Sequence, residues 1–262
     1  MMSISQGRSR RATLAGAVCA LLVSGTVLTG CSEDPNEGTN GVGRLPADQI
    51  QSRAQKAAAS VGAVRLHGTV VTSGRTYTLD MRLKEKGGIG SVTTDGVTFR
   101  LLRVDDELYL KADAGFWGQG PDEDEGQGDG GDDGKGDGTT DAAAADKLAS
   151  KYVKVPQGDP SYKKFIGFTD KGVLLSGLLT LHGELATDGH HEQAGVRTIR
   201  VTGDEGSGGT LDVSLEGKPY PLRMVRAGRA GTLTFSAWGT DFPLQQPAKD
   251  DTLDYGKKLP TS

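Results

Sequence analysis

The chain has 262 residues, 35% of them hydrophobic and 24% charged, with a formal net charge of −4. This length buries a real core, and without a basic cluster the charge balance excludes an ordinary nucleic-acid binder. Its two cysteines, Cys19 and Cys31, lie at the N-terminal end. Disulfides, cysteine nucleophiles and Cys-zinc sites are therefore excluded from everything that follows them.

Residues 1–30 have the parts of a secretory signal. Arg8, Arg10 and Arg11 supply a positive start, and Ala12 to Thr29 carries no charge. Leu28-Thr29-Gly30-Cys31 then reads as a lipobox. It predicts cleavage between Gly30 and Cys31 and a diacylglyceryl group on the Cys31 thiol. Acyl chains contribute about 0.8 kcal/mol per buried CH2, and two of them give stable anchoring. The expected place is the cell membrane, lipid-anchored on its extracytoplasmic face. The uncharged run is also roughly long enough to span as an uncleaved helix, but the lipobox sits where cleavage should fall. Ser9-Arg10-Arg11-Ala12-Thr13-Leu14 resembles a twin-arginine signal, with Thr13 in place of the usual large apolar residue. General secretion and twin-arginine export both stay open.

Residues 31–44 are polar, with several Gly and Asn, and predict a flexible tether. A single domain is expected over 45–245, and a loose polar tail over 246–262. A helix should run from Pro46-Ala47-Asp48 to about Ser60, with Ile50, Ala54, Ala57 and Ala58 on one face. Period-two alternation follows. Val64, Leu66, Gly68 and Val70 come first, then Tyr77, Leu79, Met81 and Leu83. Next come a weaker strand at Ile89 to Thr93, then Val97, Phe99 and Leu101, then Leu108 and Leu110. Ser73-Gly74, Gly87-Gly88, Asp95-Gly96 and Asp105-Asp106 supply tight turns. This is the pattern of an antiparallel meander with one apolar face.

Gly118 to Asp141 interrupts it with nine acids and one lysine. This insert at 118–141 has nothing apolar to bury and reads as disordered. Its spacing fits no calcium loop. Helices are expected at Ala142 to Tyr152, at Ser161 to Phe168, and after a Thr169-Asp170 cap. The last, with Val173, Leu174, Leu175, Leu178, Leu179 and Leu181, is apolar over most of its surface and should be buried. His190-His191 is placed in a turn after Asp188-Gly189. Strands resume around Val196 to Val201, Leu211 to Leu215, Leu222 to Met224 and Leu233 to Ala237. The expected fold class is α+β: a large antiparallel sheet, curled by accumulated twist into a half-barrel, with helices covering the concave face.

Patterns between Asp48 and Trp238, together with the lipobox, carry a resemblance. They are the entry Ala57 to Thr69, Asp105-Asp106-Glu107-Leu108-Tyr109-Leu110-Lys111, Gly217-Lys218-Pro219-Tyr220-Pro221-Leu222-Arg223 and Thr234-Phe235-Ser236-Ala237-Trp238-Gly239. The chain resembles the actinobacterial LppX/LprG-type lipoproteins, whose half-barrel design is shared with the LolA/LolB carriers. The resemblance implies an apolar cavity that holds the acyl chains of lipids or lipoglycans. The acidic insert departs from that pattern.

Leu66, Tyr77, Leu79, Met81, Phe99, Leu101, Leu174 and Leu178 are the candidate lining of such a cavity. The same residues would also build a filled core. No catalytic set is expected. Glu205-Gly206-Ser207-Gly208-Gly209 lacks the G-x-S-x-G spacing, and His67, His182 and His190-His191 lack partners for metal or acid–base work. The expectation is a non-enzymatic carrier without cofactor or metal, whose partners are the membrane, through Cys31, and an apolar or amphiphilic lipid. The alternative is a non-carrier surface lipoprotein that binds an envelope protein or senses the cell wall.

Overall fold

Strands dominate, because hydrophobic alternation recurs between tight turns over most of the chain. A computed structural model describes residues 34–118, 145–256 and 259. The signal, Cys31, nearly all of the acidic insert and the extreme C-terminus lie outside the described residues.

The first meander comprises β1 (Ala63–Thr72), β2 (Arg75–Lys84), β3 (Gly87–Thr94), β4 (Val97–Val104) and β5 (Glu107–Ala112). Ser73-Gly74 and Asp95-Gly96 have positive φ at both positions, 51° and 73°, then 49° and 78°. That is the turn geometry whose twist matches a hairpin. The later strands are β6 (Tyr152–Val155), β7 (Leu185–Gln193), β8 (Val196–Gly203), β9 (Gly209–Ser214), β10 (Pro221–Arg226), β11 (Thr232–Ser236) and β12 (Thr252–Leu253). Together they make one 12-stranded sheet in the order β12-β6-β5-β4-β3-β2-β1-β11-β10-β9-β8-β7. The sheet is open and half-barrel-like, with β12 and β7 at its edges.

Several expectations need correction. The sheet is mixed, because β12 pairs with β6 in parallel. That pairing lies in the tail expected to be loose, where Leu259 is also buried and its N–H donates to Asp159 Oδ2 at 2.8 Å. The helix expected to reach Tyr152 is confined, among described residues, to 145–149, and Tyr152 opens β6. Asp188 to His191 form no turn. They lie in β7, where the register shifts between Thr187 and His190 and Gly189 takes φ 72°. This bulge and the exposed polar side chains of β7 protect a free edge from pairing with another sheet. Part of the tether is docked. Asn40 donates from N to Leu215 O (2.8 Å) and from Nδ2 to Ser214 O (3.0 Å), and Val42 is buried.

The helices are α1 (Ala47–Ser60), α2 (Ala114–Gly118), α3 (145–149), α4 (Pro160–Thr169) and α5 (Lys171–Leu178). In α1 the buried residues Ala47, Ile50, Ala54 and Ala58 recur at helical spacing, and this stripe packs toward β7–β10. The other half of the sheet is covered by α4, over β2–β4, and α2, over β4 and β5. α5 touches both α1 and α4.

Gly68 of β1 marks the join between the two halves of the sheet. It has φ 142°, and a Cβ there would stand 2.1 Å from Thr232 O of β11. Only glycine permits that approach.

Candidate functional site

Cross-strand register puts the six predicted strand residues, Leu66, Tyr77, Leu79, Met81, Phe99 and Leu101, on one face. Leu66 lies opposite Met81 and Phe235, and Leu101 lies opposite Leu110. Leu66, Leu79, Met81 and Leu101 are at most 1% exposed. Phe99 and Leu178 are also buried, whereas Tyr77 and Leu174 are partly buried and pack against the same core.

Two of the predicted residues meet the helical cover directly. Phe99 has its ring centroid 5.6 Å from both Phe116 of α2 and Phe165 of α4. Tyr77 lies 5.8 Å from Phe168 of α4. The seam between sheet and cover is therefore aromatic on the α2/α4 side, where rings adjust by tilting.

A few polar contacts fasten the cover. Asp159 caps α4, accepting from Ser161 N at 2.8 Å, and Asp170 caps α5, accepting from Val173 N at 2.9 Å. Tyr162 donates its hydroxyl to Asp106 O at 2.7 Å. Arg103 continues the inward alternation of β4. Its guanidinium donates to Asp105 O (2.9 Å), Thr169 O (3.2 Å) and Asp170 Oδ2 (3.3 Å). On the other side, Gln51 Oε1 accepts from Leu181 N at 2.9 Å, and Gln55 Nε2 donates to Leu179 O at 3.0 Å.

Lys171 crosses the same seam. Its Nζ donates to the carbonyls of Ala59, at 3.0 Å, and Val61, at the C-terminal end of α1. Burial pushes its pKa down. The carbonyl end of a helix suits a cation.

Arg103 and Lys171 were not among the predicted residues. Arg103 was one alternation step beyond Leu101. The signal for Lys171 was a cation in the first turn of a capped helix, where the dipole disfavours it. α5 also differs from expectation, because Val173 is 57% exposed. Its apolar residues serve one buried face and leave the opposite face to solvent.

Two recesses adjoin this framework. One, of about 590 Å³, lies between the β5–β6 end and the tail and is lined by Asp106, Glu107, Lys154 and Asp254, among others. The other, of about 390 Å³, lies between α1 and α5. None of the eight predicted lining residues borders either one. Among the described residues no group of three or more His, Cys, Asp or Glu is placed to hold a metal. No described helix is long and apolar enough to cross a membrane.

No protein-family model matches the chain, and no curated protein matches it. Among solved structures it is similar to LprF from Mycobacterium bovis, with 17% identity over 77% of this chain and 97% of that one, at a TM-score of 0.51. The lipoprotein LppX of Mycobacterium tuberculosis matches with 16% identity over 76% and 99% of the two chains, at 0.41. A conserved uncharacterised protein of Thermus thermophilus matches with 12% identity over 79% and 98%, at 0.34. The likeness to LprF bears out the resemblance at the level of fold: an open half-barrel sheet with few helices.

Proposed function

We propose that this chain is an exported lipoprotein, anchored through Cys31, that binds a lipid and carries it with its acyl chains inserted between the helical cover and the inner face of the sheet. The observation that carries the reading is a wide apolar sheet face closed by short helices, with aromatic contacts on the α2/α4 side and scattered polar latches on both sides. The lipobox at Leu28 to Cys31 and the fold shared with LprF support it. The chemistry is burial alone: acyl chains leave the bilayer for an equally apolar face. No catalytic role is assigned to any residue.

The test is the mass of the chain from Asp34 onward, purified from a lipid-rich host and measured under native and denaturing conditions. A native excess equal to one or two lipids is expected. A bare native mass that stays bare after incubation with membrane extract would overturn carriage. The burial of Leu66, Leu79, Met81 and Leu101 to 1% exposure or less also favours a second reading, a filled core in a lipoprotein that binds an envelope protein. That reading predicts the bare mass.

A further inference from the structure

The recess between α1 and α5 has one charged lining residue, Lys171, which is 7% exposed. Its described hydrogen bonds go to backbone carbonyls, not to a carboxylate. An ammonium has three N–H donors, so these bonds leave one for a ligand. Two acids influence it, Glu85 and Asp170. Asp170 already accepts from Arg103 and from Val173 N–H, and Glu85 does not line the recess.

The other side-chain donors of the lining are engaged within the protein, Thr180 Oγ1 by Ser176 O. Gln55 Nε2 donates to Leu179 O and Thr180 Oγ1, and Ser176 Oγ donates to Val173 O. Ala59, Leu175 and Leu179 provide apolar wall. Leu175 and Leu179 are also members of the central core, so the wall continues into the interior. The recess thus combines one buried cation with an apolar wall shared with the central core. A single anion there meets a charge in low dielectric, where pairing is strong. A zwitterion would bring an ammonium for which the lining has no acid.

We propose that this recess is the headgroup subsite for an amphiphile with one anionic group, a phosphate or carboxylate. Lys171 is its counter-ion, and the chain runs inward past Leu175 and Leu179. The proposal rests on the lipid-carrier reading. The volume of about 390 Å³ suits a headgroup and the first methylenes of a chain.

The test uses the chain from Asp34 onward, which contains every strand and helix described. Its affinities for lysophosphatidylglycerol and lysophosphatidylcholine of equal chain length are compared by native mass spectrometry. The wild type should prefer the anionic lipid by about tenfold, one charge-assisted contact. Lys171→Met should abolish the preference, and Lys171→Arg should keep most of it. Ala59→Phe, at an exposed position of α1, should weaken anionic-lipid binding with Lys171 in place. It keeps the test valid if Lys171→Met unfolds, as a circular-dichroism melt would reveal.

Equal affinity for both lipids, or a preference that survives Lys171→Met and Ala59→Phe, overturns the subsite and leaves carriage standing. Binding of neither lipid by the wild type overturns the subsite, and a native mass that also stays bare after incubation with membrane extract overturns carriage with it. Displacement of the anionic lipid by millimolar inorganic phosphate alone would replace the amphiphile with a free anion.

Discussion

Lys171 opens α5 at the end where the helix dipole disfavours a cation, yet it is buried there because α1 ends in carbonyls beside it. Burial holds its pKa below the ordinary lysine value. Between the depressed value and the unfolded one, near 10.4, the unfolded chain binds more protons, so stability rises with pH. The cost of burying the charge is fully present below the depressed value and is relieved as pH climbs through that window. The melting temperature of the wild type minus that of Lys171→Met should therefore rise from pH 7 to pH 10.5. A constant difference would mean that the ammonium is solvated as usual.

Arg103 makes the complementary latch on the α4 side. Arg103→Met strips donors from Asp105 O, Thr169 O and Asp170. It should cost about 1–3 kcal/mol in urea titration, with the loss concentrated at the start of α5. Both latches were hard to read from the sequence because each partner is a backbone carbonyl or a residue more than 60 positions away. Alternation reaches the face a side chain occupies, but not what waits across it.

At the scale of elements, legibility followed the strength of the pattern. β1, β2 and β4 alternate over eight to ten residues with glycine turns between them, and their register follows from the apolar face. β6 has four residues and β12 two, too short for a period to register. β7 carries no apolar face, since it is an edge strand exposed along most of its length. Its Asp-Gly pair therefore looked like a hairpin turn but is a bulge.

The caps were legible at α5 because Asp precedes an apolar run, and they carry a prediction. Asp159 caps α4 and also accepts from Leu259 N, and it is 2% exposed. Asp159→Ala should cost about 1–2 kcal/mol. Hydrogen exchange should speed up in the first turn of α4 and in the tail, while β1 and β2 stay protected. Equal acceleration everywhere would show that the tail and α4 do not open as a local unit.

For the whole molecule, the question is which part of the cover moves. α1 reaches four strands through its stripe, and α4 reaches three, two of them through rings. α5 is held mainly by other helices, and His182 just beyond it is tied to Gly208 O at 3.0 Å. The Lys171 end is held across the seam by side-chain bonds, from Lys171 to α1 and from Arg103 to Asp170, which a ligand can exchange. If lipid enters there, α5 must swing from α1 about its His182 side, a hinge that a few backbone torsions can supply. An Ala59→Cys/Gly172→Cys pair joined by a short bis-maleimide would prevent that swing. The chain from Asp34 onward has no native cysteine, so the bridge is specific. The bridged protein should take up lipid at least about tenfold more slowly than the same double variant carrying a mono-maleimide cap on each cysteine. The doubly capped protein fills the recess to the same extent without joining the helices, so it separates restricted motion from simple blockage. Undiminished uptake by the bridged form would rule out α5 as the moving cover and direct entry to the aromatic seam of Phe99, Phe116 and Phe165.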